Sequence, residues 1–218
     1  MKKIITLTFA LMIAFATQSY AEMRFGISAA ITEIDASGTE TEGGEKTNGS
    51  ADNTVLIPSV FAEYVYSDQL SIGLDFIPMT ADVSNKAKNR NDVETSVTNT
   101  TTSTTTSREQ KANASLKNHL TLYGNYKLSD TLYLKAGIAA VTLETDESLG
   151  TGSKYGNEDI FGGVIGFGME QDGFRVELAY TDYEDISLTS SVARAGVTTN
   201  NKIDAELDTF ALKLSYLF

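Results

Sequence analysis

Cysteine and tryptophan are both absent from this chain of 218 residues, and proline occurs only twice. The lack of cysteine excludes a disulfide framework and any thiolate metal site. After the N-terminal segment no run of about 20 apolar residues occurs, so no membrane-spanning helix is predicted. A basic footprint for nucleic acid is also missing, because 29 acidic residues outnumber 17 lysines and arginines. Stability therefore has to come from burial or from a closed ladder of backbone hydrogen bonds.

The first 21 residues form a separate unit. Lys2 and Lys3 precede an apolar stretch from Ile4 to Ala16, and Ser19-Tyr20-Ala21 puts small residues at the two positions that a signal peptidase reads. We interpret 1–21 as a Sec-type signal peptide cleaved near Ala21 and 22–218 as one domain. No cysteine follows the predicted cleavage site, which excludes lipoprotein anchoring. Without the two lysines, the remaining chain has 15 basic and 29 acidic residues, a net charge of −14.

The rest of the sequence alternates between polar connections and segments with an apolar residue at every second position. This period of two indicates β-strands, because successive side chains point to opposite faces. Eight such segments occur: Met23 to Ile34, Thr54 to Tyr66, Leu70 to Met79, Ala114 to Leu128, Thr131 to Leu143, Ile160 to Met169, Phe174 to Tyr183 and Thr209 to Phe218.

The connections between these segments alternate in length. Tight turns lie at 67–69, 129–130 and 171–173, and long polar loops at 35–53, 80–113, 144–159 and 184–208. This alternation predicts an all-β fold: an eight-stranded, antiparallel, up-and-down transmembrane barrel with short periplasmic turns and long extracellular loops.

A soluble sandwich or a lipocalin-like barrel is the alternative fold. Such a protein would turn its apolar face inward and its charges outward. Here the second face carries Gly, Ser, Thr, Asn and charges of both signs, which suit a narrow hydrated lumen. A lipid environment also explains closure, because an open sheet edge in hydrocarbon leaves backbone groups unpaired.

The C-terminal strand is the most specific stretch. Its apolar residues alternate and end in phenylalanine: Phe210, Leu212, Leu214, Tyr216 and Phe218. With the signal peptide and the strand count, this ending resembles the small outer-membrane barrels of the OmpA/OmpX type and the Opa-like porin-family proteins. In that family such an ending is read by the barrel-insertion machinery. The resemblance thus implies periplasmic chaperones, insertion by that machinery into the bacterial outer membrane, and contact with outer-membrane lipid and lipopolysaccharide.

Because tryptophan is absent, tyrosine and phenylalanine have to form the aromatic girdles of the barrel. Six aromatic residues fall at the short-turn end and can supply one girdle: Tyr64, Tyr66, Tyr126, Phe174, Tyr216 and Phe218.

Charged residues recur on the face predicted to line the lumen. They are Arg24, Glu63, Asp75, Lys117, His119, Lys127, Lys135, Arg175, Glu177 and Lys213. An eight-stranded interior is just wide enough for side chains to fill it. We therefore expect a network of salt bridges and hydrogen bonds that plugs the lumen, with Glu177 beside Lys213. A gated or narrow ion path is the alternative.

No catalytic residue and no cofactor is predicted. His119 is the only histidine, and Asp75 on the neighbouring strand is its only plausible partner. Ser115 precedes His119 by four residues on the same strand, too far for a nucleophile and its base. A lipid-modifying enzyme, which some small barrels are, is therefore the third choice of function.

Two features of the long loops allow two interpretations each. Acidic residues crowd the ends of the fourth loop and suit either Ca²⁺ or Mg²⁺, or only a solvated rim: Asp182, Glu184, Asp185, Asp204, Glu206 and Asp208. The threonine-rich segment 93–107 is either a disordered loop or a polar β-ridge whose edge accepts a partner strand.

The first choice of function is a non-enzymatic outer-membrane protein. It would support envelope integrity and present its loops to an extracellular ligand for adhesion or recognition. The second choice is a narrow porin-like channel for small solutes or ions.

Overall fold

The computed structural model describes residues 22–84, 88–99, 102–149, 153–193 and 199–218, and within 88–110 it describes the backbone alone. The interpretation of 1–21 as a signal peptide lies outside the described residues. The described part of the chain is all-β, with eleven strands: β1 Glu22–Glu42, β2 Glu45–Val65, β3 Leu70–Ile77, β4 Ala81–Asp82, β5 Lys88–Asn99, β6 Thr102–Lys127, β7 Leu132–Ser148, β8 Asn157–Gln171, β9 Phe174–Tyr183, β10 Ile186–Thr189 and β11 Lys202–Leu217. Among these residues, no helix is long and apolar enough to cross a membrane.

Eight of the strands form a closed antiparallel ring. Their order is β1-β2-β3-β6-β7-β8-β9-β11, and β11 pairs with β1 to close it. The closing ladder ends at Phe218, whose backbone N–H donates to the Phe25 carbonyl at 2.9 Å. Short turns join β2 to β3, β6 to β7 and β8 to β9, and the last of these turns has positive φ at Asp172 and Gly173. The predicted eight-stranded up-and-down barrel is confirmed.

The predicted long loops are largely extensions of the strands. The segment expected to be a loop at 35–53 continues β1 and β2 in register to a turn at Gly43 and Gly44, both with positive φ. The threonine-rich segment lies in the hairpin of β5 and β6, which pair from Lys88↔Ala112 onward. Of the two interpretations, the structure shows the β-ridge for the described residues of the segment, 93–99 and 102–107. Since β1 has 21 residues and a strand crosses a membrane in about 9–11, the hairpins stand well beyond any bilayer.

A continuous apolar band surrounds the turn-proximal half of the ring. Its large side chains point outward and are about half exposed, among them Phe25, Ile31, Leu56, Ile138, Ile165, Leu178, Phe210, Leu212 and Leu214. At the turn end, Tyr66, Tyr126, Phe174, Tyr216 and Phe218 are exposed, whereas Tyr64 is buried. Exposure of so large an apolar surface to water is unfavourable, so the band is the membrane-spanning part of the barrel.

The two faces of the wall exchange polarity above the apolar band. On β1 the outward residues change from Ile31 to Glu33 and Asp35, and the inward residues change from Ser28 and Thr32 to Ile34. The same exchange occurs around the ring and produces an inward apolar cluster. We call it the apolar plug, and it comprises Ile34, Ile57, Leu116, Val141, Leu143, Ile160, Tyr183 and Leu207. Beyond the membrane the barrel is thus built like a soluble one, which the interpretation of a wholly hydrated lumen did not anticipate.

A β-bulge in β6 corrects the predicted facing of two residues. Asn118 has a φ of 55°, and the pairing of β6 with β7 shifts register between Lys117 and Leu120. One extra residue reverses the alternation of the strand. Leu116 has the parity of the outward Leu122 and Tyr126, but because of the bulge it is buried inside. Lys117, predicted to line the lumen, instead forms an ion pair with Glu144, in which both side chains are about one-third exposed.

Candidate functional site: the ion network in the lumen

Glu63 is the centre of a polar layer at the turn-proximal end of the lumen. Its carboxylate is 0% exposed and accepts four hydrogen bonds. Arg175 donates two of them, Nη1 to Oε1 and Nη2 to Oε2, the second at 2.7 Å. The Tyr123 hydroxyl and the Asn125 amide donate to Oε1 at 2.8 and 3.0 Å. A buried carboxylate is tolerated in this way because its charge is paired and its oxygens have donors.

Arg175 connects Glu63 to a second carboxylate. Its Nε donates to Glu170 Oε2 at 2.7 Å, and Arg24 donates to the other oxygen of Glu170. Arg24 and Glu63 are cross-strand neighbours, yet Arg24 pairs with Glu170 instead. The four side chains form one chain of ion pairs across β1, β2, β8 and β9.

A third carboxylate, Glu177, pairs with Lys135. Lys135 Nζ donates to Glu177 Oε1 at 2.6 Å, and the Tyr133 hydroxyl donates to Oε2 at 2.7 Å. Lys213 is the cross-strand neighbour of Glu177, but its ammonium group pairs with Asp75 across the lumen. Glu177 and Lys213 are thus neighbours in the backbone pairing, as predicted, but they do not form an ion pair with each other. The long side chain of Lys213 reaches across the lumen to Asp75 instead.

The network balances its charges. Arg24, Lys135, Arg175 and Lys213 are the cations, and Glu63, Asp75, Glu170 and Glu177 are the carboxylates. We call these eight residues the ion network. Cations also lie over aromatic rings, with Lys135 Nζ 4.2 Å from the Tyr123 ring centroid. This layer fills the lumen at the level of the membrane.

Glycines make room for the aromatic members of the layer. A Cβ on Gly73 would lie 2.4 Å from Cζ of Tyr123, and one on Gly168 would lie 2.4 Å from Cζ of Tyr133. Gly26 makes the same room for Phe61. The absence of a side chain at these glycines leaves space for the three rings, and the hydroxyls of Tyr123 and Tyr133 reach Glu63 and Glu177.

His119 faces the lumen, as predicted, but Asp75 is not its partner. The nearest polar groups to its Nε2 are the Tyr183 hydroxyl at 3.3 Å and Thr121 Oγ1 at 3.5 Å. Lys127 lies half-buried at the turn end of β6. Among the described residues, the groups hydrogen-bonded to His119 are the Tyr183 and Thr121 hydroxyls, and no carboxylate is among them.

The acidic residues of the fourth loop lie on the outer surface rather than around one point. Asp182 and Asp208 are neighbours on β9 and β11, and the row continues across β1 and β2 to Asp35 and Asp52. Partial burial, followed by the charges of Asp35 and Asp182, raises the pKa of Asp208.

The described residues contain no group of three His, Cys, Asp or Glu able to hold a metal ion, so the structure does not bring the acidic candidates together at one point. The six candidates were Asp182, Glu184, Asp185, Asp204, Glu206 and Asp208. They are spread along β9, β11 and the connection between β9 and β10. In addition, Asp204 is paired with Lys202 and Glu184 accepts the backbone N–H of Phe161.

Above the apolar plug, polar side chains tie the rim together. The Tyr155 hydroxyl donates to Glu40 Oε1 at 3.1 Å. Burial and the nearby Glu40 carboxylate raise the pKa of Tyr155. The backbone N–H of Tyr155 donates to Glu147 Oε1 at 3.2 Å, so Tyr155 is held at the mouth of the barrel by two carboxylates.

Of the ten predicted lumen residues, the structure brings seven into the ion network and leaves Lys117, His119 and Lys127 outside it. The prediction missed Glu170, which follows Gly166 and Gly168 on the inward face of β8. The predicted segment ended at Met169, and extending it to the turn at 171–173 would have included Glu170. The prediction also did not identify the apolar plug, although all of its residues except Leu207 lie within the expected strand segments, because the sequence does not mark where the inward face changes from polar to apolar.

These features define a class of protein: a small eight-stranded outer-membrane β-barrel with a filled lumen. Among solved structures, the chain is similar to the solid-state NMR structure of the outer membrane protein AlkL, which was determined in DMPC lipid bilayers. The TM-score is 0.50, the identity is 13%, and 93% of each chain is covered. It is also similar to Ail, the attachment invasion locus protein of Yersinia pestis, with a TM-score of 0.45, 11% identity and coverage of 90% of this chain and 99% of Ail.

A third similar structure is Neisserial surface protein A, with a TM-score of 0.36, 12% identity and coverage of 88% of this chain and 97% of that one. No family model matches the sequence, and no curated protein matches it. At these identities the likeness to AlkL shows the fold and leaves the activity to be argued from the site.

Proposed function

We propose that this protein is a closed, non-enzymatic barrel of the bacterial outer membrane that presents its extracellular β-hairpins for adhesion or recognition and supports envelope integrity. The observation that carries the proposal is the double filling of the lumen. The ion network fills the membrane level, and the apolar plug fills the level above it. Such a barrel is a rigid support for the hairpins rather than a pore.

We expect the purified barrel to form no steady channels in a planar lipid bilayer. Ions would have to cross a layer of paired charges and then an apolar layer, and both lack a continuous wet path. Single-channel recording checks this expectation, with protein-free bilayers as the control. Reproducible unitary conductance from folded, heat-modifiable protein would contradict it and favour the narrow channel.

We expect removal of the hairpin formed by β5 and the paired end of β6 to reduce the binding of intact cells to a surface that the parent recognises. This hairpin stands beyond the ring and its strand β5 pairs only with β6, so residues 88–110 can be replaced by a short turn without cutting the barrel. Cell adhesion with equal surface levels of folded protein is the measurement. Unchanged adhesion would place recognition elsewhere, for example on the β1–β2 hairpin.

We expect deletion of Phe218 to lower the amount of folded barrel in the membrane several-fold. Phe218 both donates to and accepts from the backbone of Phe25, which completes the closing ladder, and its exposed ring ends the alternating strand that the resemblance assigns to the insertion machinery. The amount of heat-modifiable protein in isolated membranes is the measurement, and Phe210→Leu, which keeps an apolar outward residue, is the control. Normal membrane levels in the deletion strain would contradict this.

A further inference from the structure

The hairpin of β5 and β6 has an open edge on the extracellular side of the barrel. In the part of the chain that the structure describes, β5 pairs with β6 and with no other strand. The neighbouring strand of the ring, β2, pairs with β3 only as far as Val60↔Phe76 and leaves this edge of β5 uncovered. Backbone N–H and C=O groups along an uncovered edge can bond to a further strand.

The charges on β5 have two-fold symmetry about Asn91. Lys88 and Arg90 come before it, and Asp92 and Glu94 come after it, all at alternate positions and hence on one face of the strand. If two copies of β5 pair antiparallel about Asn91, Lys88 of each copy lies opposite Glu94 of the other. In the same register, Arg90 lies opposite Asp92. Every charge of the segment then meets an opposite charge, which stabilises an antiparallel ladder.

The same charges exclude other registers of this pairing. A shift of two residues in one direction sets Arg90 opposite its own copy, and the same shift in the other direction sets Asp92 opposite its own copy. Like charges directly opposite each other destabilise a sheet. Charged residues commonly protect an edge strand from unrelated strands. On β5 they also leave one register open to a second copy of this chain.

Only copies in facing membranes can pair in this way. β5 runs from Lys88, beside the ring, to Asn99 at the tip of the hairpin. Two copies in one membrane therefore have β5 strands that point the same way, and their edges would pair in parallel with each charge beside its own kind. In facing membranes the two strands run in opposite directions, as the antiparallel pairing requires.

The paired segment stands clear of the lipid. Leu122 of β6 belongs to the apolar band, and Glu109 of the same strand is the cross-strand neighbour of Asn91. At about 3.4 Å per residue and a strand tilt of about 40°, the chain rises roughly 30 Å between these two positions. The edge is thus within reach of a hairpin that comes from a facing cell.

We propose that the β5 edge binds the β5 edge of a second copy on a facing cell and so joins cells that carry this protein. The proposal rests on the adhesive function proposed above and names its partner. A ladder over Lys88 to Glu94 is short, but many copies on each cell act together and hold two cells far more firmly than a single pair.

The test is the aggregation of cells with truncated lipopolysaccharide and no other adhesin. Parent cells should aggregate, and cells without the protein should not. Lys88→Glu/Arg90→Glu makes the segment wholly acidic, and Asp92→Lys/Glu94→Lys makes it wholly basic. Cells with either variant alone should stay dispersed, whereas a mixture of the two, labelled in different colours, should form mixed aggregates. Aggregation of either variant by itself at the level of the parent would overturn the proposal.

The matched control is the variant with all four charges reversed, Lys88→Glu/Arg90→Glu/Asp92→Lys/Glu94→Lys. Its net charge equals that of the parent, and its pattern is again self-complementary. We therefore expect it to form aggregates of its own but none mixed with parent cells. Mixed aggregates of parent and reversed cells would show unspecific attraction and overturn the pairing. The substituted residues lie outside the ring, and strains are compared at equal amounts of heat-modifiable barrel.

Failure of this proposal can be told apart from failure of the proposed function. If parent cells do not aggregate but lose binding to another surface when residues 88–110 are replaced, the partner is not a second copy and the adhesive function stands. If parent cells neither aggregate nor bind another surface, both proposals are overturned.

Discussion

Replacing Glu63 with alanine is expected to lower the free energy of unfolding by about 3–5 kcal/mol, because it leaves a buried cation without its partner. Arg175 would keep Glu170 but lose its two hydrogen bonds to Glu63, and Tyr123 and Asn125 would lose their acceptor. Urea unfolding of the barrel in lipid vesicles, followed by the heat-modifiable gel shift, measures the effect.

Glu45→Ala is the control for this prediction. Glu45 is exposed at the tip of the β1–β2 hairpin, where a charge contributes about 1 kcal/mol or less. The double variant Glu63→Ala/Arg175→Met should recover part of the loss, since Glu170 still has Arg24 and the remaining layer then has no unpaired charge. Unfolding of Glu63→Ala at the urea concentration of the parent would show that water replaces the missing partner, which would weaken the closed-barrel proposal.

Removing Glu177 is expected to cost about 3 kcal/mol or more, again by leaving a buried cation unpaired. The structure identifies that cation as Lys135, whose side chain is 7% exposed. The double variant Glu177→Ala/Lys135→Met should therefore recover much of the stability.

The matched comparison is Glu177→Ala/Lys213→Ala. Cross-strand neighbourhood alone would make Lys213 the partner, but Lys213 pairs with Asp75. Its removal leaves the Asp75 carboxylate without a cation, so this double variant should be less stable than Glu177→Ala alone. A double-mutant cycle measures both couplings. If Lys213→Ala restored the stability of Glu177→Ala and Lys135→Met did not, the ion pair of Glu177 would follow the backbone pairing of β9 with β11.

Much of the architecture could be read from local pattern. The period of two identified eight strands, and the strict alternation of short turns and long connections ordered them into a ring. Both signals are local. The face of the sheet that a side chain takes depends on whether its position in the strand is odd or even, and a tight turn pairs each strand with the next one in the chain. Phe25, Ile31, Leu212 and Leu214 were placed on the outer face for this reason, and the structure has them there.

Local pattern does not determine which way a residue faces where a bulge changes the parity of the strand. It also does not determine which partner a long side chain reaches. One extra residue at Asn118 turned Lys117 outward and Leu116 inward. The sequence carries no separate mark of this bulge, since Asn118 is polar in either phase. Parity places Ile34 and Ile160 on the inward face, but it does not show that this face has become apolar there, because that depends on the height of the membrane on each strand.

The sequence by itself determined the class of fold, the number of strands, the outer apolar face and the set of charges that line the lumen. The tertiary structure alone decided which charges pair and where the interior turns from ionic to apolar. The physical reason is that these features depend on closure of the ring. Only closure brings Lys213 of β11 to Asp75 of β3 and Arg175 of β9 to Glu63 of β2, over sequence separations of more than one hundred residues.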